Sequence, residues 1–466
     1  MAGTTPHFNF KPIIIGGSVA GLTLAHMFER ANIDYILLEA RDTLSPSIGS
    51  SIVIMANGAR ILDQLGLYEE MKDDFMMGMK RTFSRREDGT VVSSNQWPTI
   101  VQKRLEYISA ICERWAFLKS LFDQLGDKTK IRTSKKVLSI EHGETSVTVS
   151  CEDGSRFTGD IVIGADGIHS RTRQEMQKFA EKTGPAGLLE KDKKSITAEY
   201  NCFFGTASPN TTLTPGDSHT ASSIAHSGLL FVGKDQVPQW FFFSKMPRRY
   251  IGASNIPRFT RSGMEAQAAL YRDFHFTENV TLGQLMETTD QVSFFPLEEA
   301  SHDVWTYGRF VCVGDSIHKM TPNMGQGGNQ AIESAAVLTN CLMEMLMSKE
   351  EKEPGTKVRN EEIEGALVKY QELRQQRAKM VVGFAAGLTR SDALDTLKYT
   401  LQFLFKPPPE RVLADFSTEL FISAPCLEFL PQPARISGNK FWAEDDTDTT
   451  APSETPNTGE PIKARL

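Results

Sequence analysis

The apolar run Ile13-Ile14-Ile15 ends at Gly16 and Gly17, and beyond it Ala20, Leu24, Met27, Phe28 and Ala31 recur at the spacing of one helix face. This pattern predicts a buried strand, a glycine turn and an amphipathic helix. A second strand is expected over Ile33 to Leu38, ending at Glu39. From about Ile196 to Phe295 the pattern changes to strand-like runs such as Gln239-Trp240-Phe241-Phe242-Phe243, separated by turns such as Ser208-Pro209-Asn210 and Thr214-Pro215-Gly216. Strand, glycine loop and long helix return at Arg309 to Met347, where Ala331, Ile332, Ala335, Leu338 and Leu342 form an apolar stripe. The fold class expected is therefore α/β, a Rossmann-like unit interrupted by a mostly β insert and followed by a helical C-terminal region. The Rossmann-like unit is assigned residues 1–75, 104–185 and 296–347. The insert is assigned 186–295 with an excursion at 76–103, and the C-terminal helices 356–443. The charged run Lys349 to Gly355 reads as a solvated loop between helices. Residues 444–466, rich in Asp, Thr, Pro, Glu and Ser, read as a disordered tail because they lack the apolar surface that would offset the entropy of ordering.

Composition narrows the classes of function. With 51 Lys+Arg against 58 Asp+Glu among 466 residues, the net charge of −7 argues against a dedicated nucleic-acid binder. The cysteines at 112, 151, 202, 312, 341 and 426 form no C-x-x-C pair, which speaks against zinc and against a secreted disulfide framework. Met1 to Phe10 lacks a basic segment followed by an apolar one, so secretion is not indicated and a cytoplasmic setting is expected. Stretches such as Met380 to Leu388 fall short of the ~20 residues that span a bilayer, and peripheral contact with an internal membrane stays open.

Three constellations carry chemistry. In the first, Gly16-Gly17-Ser18 and Gly21 lie between strand and helix, where glycines admit a pyrophosphate close to free N–H groups at the positive end of the helix dipole. Glu39 lies about 20 residues on, where a carboxylate accepts from ribose hydroxyls, so adenosine of FAD or NAD is preferred to NADP. Ser18 departs from the fingerprint by replacing its middle glycine. The segment also nearly matches the hydrolase elbow G-x-S-x-G, but Ala20 stands in the last position. The second constellation, Asp160 to Arg173, reads by itself as a strand ending in a polar glycine turn. The third runs from Arg309 through Gly314-Asp315 and Pro322 to Gly325-Gln326-Gly327-Gly328-Asn329. Its parts suggest a flavin site, with Asp315 accepting from a ribityl hydroxyl and the glycine-rich helix start offering N–H groups.

Taken in order, G-G-S-x-A-G-L, the D-G-x-x-S-x-x-R turn at Asp166 to Arg173 and the G-D-x-x-H-x-x-x-P stretch at Gly314 to Pro322 resemble the single-component, FAD-dependent aromatic-hydroxylase-type monooxygenases. With Leu38 to Arg41 and Asn57 to Leu67, the chain is similar to the fungal PaxM-like epoxidases of indole-diterpene and meroterpenoid pathways, up to about Ser437. The resemblance implies that Glu39 and Arg41 serve the adenosine end, that Arg114 at the start of the helix Arg114 to Leu125 reaches the cofactor, and that Asp315, Gly327 and Gly328 hold the ribityl and isoalloxazine parts. Val53 stands where such proteins usually carry a glycine, so that only its backbone would touch FAD. Asp166 and Gly167 are similar to the turn used for FAD and for a transient NADPH.

The implied reaction is reduction of FAD by NADPH, formation of a C4a-hydroperoxyflavin with O2, and oxygen transfer to an alkene of a prenylated, lipophilic metabolite. No metal or nucleic acid enters it, and no catalytic acid or base is nominated. A phenol hydroxylase is the alternative, with Tyr200 as its candidate polar group. A catalytically idle FAD-binding or interaction protein is the second. His318 reads as structural, Met76, Met77 and Met79 as packing, and Trp240 to Phe243 as β core in preference to pocket lining.

Overall fold

A computed structural model describes residues 8–45, 51–405 and 407–433. The expected tail 444–466 and residues 434–443 of the expected C-terminal helical region lie outside the described residues. Pro12–Ile15 is buried at every position because it occupies the middle of a six-stranded sheet. It pairs in parallel with Ile161–Gly164 on one side and Ile36–Leu38 on the other. Phe310–Cys312 and Ile131–Arg132 extend the sheet outward in parallel, and Thr306–Tyr307 adds an antiparallel edge. Strands covered on both faces read as continuous apolar runs, which is why Ile13 to Ile15 and Ile161 to Ile163 show no alternation.

The second strand starts later than expected, at Ile36. Asn32 adopts a left-handed φ of 53° and the Ile33 N–H donates back to the Phe28 carbonyl at 2.9 Å, so Ile33 belongs to the turn that closes the helix Val19–Arg30. That helix packs against the long helix Gly327–Lys352, which in turn packs on Asn360–Asp392. The charged run is a correction: the helix continues through it to Lys352, and Lys349 is 7% exposed, its ammonium 2.5 Å from Glu353 and 3.3 Å from Glu362. A lysine stem can lie along apolar surface if its head is paired, and here two carboxylates pair it.

An eight-stranded sheet forms the second layer, in the order His318–Lys319, Ser293–Ser301, Thr197–Thr206, Pro238–Ile251, His226–Val232, Asp217–Ser223, Arg81–Arg86, Val91–Asn95. Its aromatic run splits by strand period. Trp240 and Phe242 join Phe203, Leu230, Phe274 and Phe276 in one core, whereas Phe241 and Phe243 meet Cys202 and Leu229 on the opposite face.

Candidate functional site

The carboxyl ends of Pro12–Ile15 and Ile161–Gly164 lie side by side, and the next parallel strand after each, Ile36–Leu38 and Phe310–Cys312, lies on opposite sides of the pair. Open α/β sheets bind ligands at such a switch point. Gly16 follows the first strand with φ 104°, and a Cβ there would sit 2.5 Å from the Ala165 carbonyl oxygen. Gly21, in the first turn of the helix, has its missing Cβ position 1.9 Å from the Gly16 carbonyl oxygen. Only glycine lets helix and turn approach this closely.

The helix Val19–Arg30 begins without a side-chain cap. The hydroxyl that would cap it, Ser18 Oγ, instead accepts from Arg114 Nη2 at 2.7 Å. Its first N–H groups and dipole therefore remain available to an anion. Burial lowers the pKa of the Arg114 guanidinium from its ordinary value, and the Asp315 and Glu39 carboxylates oppose that shift. Glu39 accepts the N–H groups of Gly17 at 2.7 Å and Arg41 at 2.9 Å, which fixes its carboxylate at the strand end. A carboxylate offers about four lone-pair sites, so two backbone bonds leave acceptor capacity for ribose hydroxyls.

Asp166 turns inward. It accepts from the Ser170 hydroxyl and from the Thr172 N–H at 2.9 Å, and burial raises its carboxyl pKa. Asp315 pairs with Lys319 at 2.5 Å. The helix Gly327–Lys352 also starts without a side-chain cap; a Cβ on Gly327 would meet open space, whereas one on Gly328 would lie 2.7 Å from Ile52 Cδ1. The Val53 carbonyl accepts from Asn329 Nδ2 at 2.9 Å, and its Cβ lies 2.9 Å from where a Cβ on Gly325 would be. Valine thus packs on Gly325 and its carbonyl is already engaged.

These residues line one cleft of about 790 Å³, near the upper end of the usual range for ligand sites. Gly16, Ser18, Glu39, Arg41, Val53, Arg114, Asp166, Asp315, Gly327 and Gly328 all border it; Gly17 and Gly21 lie behind the surface. The lining also contains Lys135, Lys136, Lys319, Met320, Phe231 and Phe241, which periodicity alone does not single out. Lys319 is the most legible of these, four residues after Asp315 in the same stretch.

A family model described as FAD binding domain matches residues 10–228 and 270–362. The FAD-dependent monooxygenase ptmM of Penicillium ochrochloron is 38% identical over 392 residues, covering 84% of this chain and 91% of that protein. The chain belongs to the FAD-dependent monooxygenase family. The monooxygenase is also 36% identical to BOA8 of Botryotinia fuckeliana across 93% of this chain, yet it spans only 51% of that relative's length. Among solved structures, that of Klebsiella pneumoniae HpxO complexed with FAD and uric acid matches with a TM-score of 0.72 at 20% identity, over 91% of this chain and 99% of HpxO. At that identity the match concerns the fold.

The monooxygenase's other candidates take structural roles. His318 is buried with Nε2 2.8 Å from Ser334 Oγ, and burial pushes its pKa down to about 4. Tyr200 does not line the cleft; burial raises its phenol pKa, so it is not poised as a base. Met76 and Met79 are core residues. Phe241 corrects the all-core reading of the aromatic run, since it borders the cleft with Phe231. Among the described residues no group of three potential ligands gathers for a metal, and no helix is long and apolar enough to cross a membrane.

Proposed function

We propose that this monooxygenase uses NADPH and O2 to epoxidise an alkene of a prenylated, lipophilic metabolite. The observation that carries the substrate class is the cleft wall supplied by strands His226–Val232 and Pro238–Ile251, which consists of Phe231 and Phe241 without an ionisable side chain. Met320 and Pro322 add further apolar lining. Oxygen transfer to an alkene asks for no proton movement by the protein, whereas hydroxylation of a phenol is helped by a group that deprotonates it. Tyr200 is not such a group, and the phenol reading therefore stands second.

The residues present fit FAD. The uncapped start of Val19–Arg30 and the Arg114 guanidinium match a pyrophosphate, Glu39 the ribose hydroxyls, and Asp315 the ribityl chain. The open space at Gly327 leaves room beside a second uncapped helix start for the isoalloxazine. When bound, FAD supplies the electron transfer and oxygen activation that no side chain here can perform. The chain's own part is to bind and orient. Arg114 and the helix start would take up the phosphate charge, Asp315 would accept from a ribityl hydroxyl, and Phe231 and Phe241 would hold the alkene and exclude water. Asp166 keeps the Gly167 turn in shape through Ser170 and Thr172, where a transient NADPH would pass.

The visible spectrum of the desalted protein, taken before and after anaerobic NADPH, tests the cofactor half. Flavin bands that bleach are expected, and absence of flavin after reconstitution with FAD would overturn the reading. NADPH consumption with product analysis, using prenylated alkenes and phenols, tests the other half. Tight coupling to phenols alone would replace epoxidation by ring hydroxylation.

A further inference from the structure

Behind the first turns of the helix Gly327–Lys352 lies a buried polar cluster for which the cofactor contacts above have no use. Glu333 is 0% exposed and Arg374 is 1% exposed. Arg374 Nη2 lies 3.1 Å from Glu333 Oε2, and Arg377 Nε lies 2.7 Å from the same oxygen. Asn57 Nδ2 donates to Glu333 Oε1 at 2.6 Å and to Gln326 Oε1 at 3.0 Å. Gln330 Nε2 joins the same two acceptors, at 3.0 Å and 3.1 Å. Arg374 also donates to the Gln330 side chain and backbone carbonyl.

Two guanidinium groups thus face one carboxylate, a surplus of one positive charge. Nε and Nη1 of Arg374 have no hydrogen-bond partner among the described residues. Buried charge is costly, and an apolar core of the same shape would often be as stable, so charge retained here points to work other than holding the helices together. The position suggests what that work is. Gln326, which the cluster holds, immediately precedes Gly327 and Gly328 at the cleft, and it is itself 1% exposed. The charge also reaches the cleft's own stretch: after burial, Arg374 is the largest influence lowering the pKa of His318, three residues beyond Asp315.

We propose that Glu333, Arg374 and Arg377 are positioning residues for the flavin: they fix the helix start at Gly327–Gly328 from behind, and their surplus positive charge favours the reduced cofactor over the oxidised one. Reduction by a hydride donor adds two electrons and one proton, so the cofactor becomes more negative by one charge. A fixed positive charge and the positive end of a helix dipole both stabilise that product. The proposal rests on FAD binding by this family and not on which substrate is oxidised.

Reductive titration of the holoprotein against a reference dye, with the FAD dissociation constant measured alongside by fluorescence, tests it. Glu333→Gln removes a negative charge and is expected to raise the midpoint potential; Arg377→Gln removes a positive one and is expected to lower it. Each shift corresponds to about a tenfold change in the preference for reduced over oxidised FAD, ~30 mV for a two-electron couple. A cluster that only braced the helices would move both variants in the same direction. Such a result, or potentials equal to wild type with FAD still bound, overturns the proposal. Should Glu333→Gln fail to fold, Arg377 at the more exposed edge decides: the potential must fall in Arg377→Gln and stay near wild type in Arg377→Lys. A wild-type protein that cannot take up FAD would overturn the cofactor assignment itself, a distinct outcome.

Discussion

Arg114 Nη2 donates to Ser18 Oγ at 2.7 Å, tying the first turn of the helix Arg114–Asp123 to the turn before Val19–Arg30. The serine that departs from the dinucleotide fingerprint is therefore the anchor of a half-buried cation that faces the cleft. A hydrogen bond to a charged group contributes about 1.5–3 kcal/mol. Arg114→Met is accordingly expected to weaken FAD binding roughly ten- to hundredfold, and Ser18→Ala by up to about tenfold, because Arg114 then loses its direction but not its charge. Fluorescence titration of the apoprotein measures both. Unchanged affinity in Arg114→Met would remove that residue from the cofactor site.

The same substitution at two glycines should fail in two different ways. In Gly21→Ala the new methyl group meets the Gly16 carbonyl oxygen at 1.9 Å, so the helix must move away from the turn. Overpacking of this kind costs about 1–3 kcal/mol or more, and a lower melting temperature of the apoprotein is expected. Gly327→Ala adds its methyl group to open space. Its apoprotein should melt within a degree or two of wild type, since helix termini tolerate alanine and 1 kcal/mol is worth about 2–4 °C in a large domain. The deficit should appear in FAD retention after desalting, and a Gly327→Ala protein that holds FAD normally would place the cofactor elsewhere.

Phe241 offers a test of the apolar wall. It is 7% exposed and shares one face of its sheet with Phe243, Cys202 and Leu229. Full burial of such a side chain is worth about 1.5–3 kcal/mol, so Phe241→Ala should raise KM for a lipophilic alkene roughly tenfold or more. It should also let water into the site and increase the hydrogen peroxide released per NADPH consumed. A variant with unaltered KM and coupling would show that the substrate does not rest on this wall.

A pH dependence is expected at the other end of the cleft lining. Asp392 accepts from Asn323 Nδ2 at 2.7 Å, and Thr389 donates to Asn323 Oδ1 at 2.7 Å, so the last turns of Asn360–Asp392 hold the loop that follows Pro322. Burial pushes the Asp392 carboxyl up to about 7 from the ordinary 3.8. Between these values the folded protein binds more protons than the unfolded chain, so stability falls as pH rises through the window and levels off above it. Asp392→Asn keeps an acceptor for Asn323 without the ionisation. Its melting temperature should exceed that of wild type by a few degrees at pH 8, and the gap should close near pH 4. Parallel curves for the two proteins across that range would refute the assignment.

Local signals sufficed wherever one short segment does the whole job. Ile13 to Ile15, Gly16 and Gly21 announce strand, turn and helix because burial on both faces and a close backbone approach leave little freedom of residue type. Glu39 and Asp315 are legible as carboxylates that follow buried strands, Ile36–Leu38 and Phe310–Cys312. What escaped concerns partners far apart in the chain. No period in the sequence brings Arg114 to Ser18, Val53 to Gly325 or Arg374 to Glu333. Nor does alternation within Trp240 to Phe243 say which face meets a core and which meets a cleft, since both faces are covered and both are aromatic. Lys349 lies in a run of charges, yet the fold buries its stem and pairs its ammonium with Glu353 and Glu362. Backbone conformation and apolar period are local properties, written residue by residue. Pairing of charges and the shape of a cavity depend on which elements the fold packs together, and that information exists only once the chain has closed on itself.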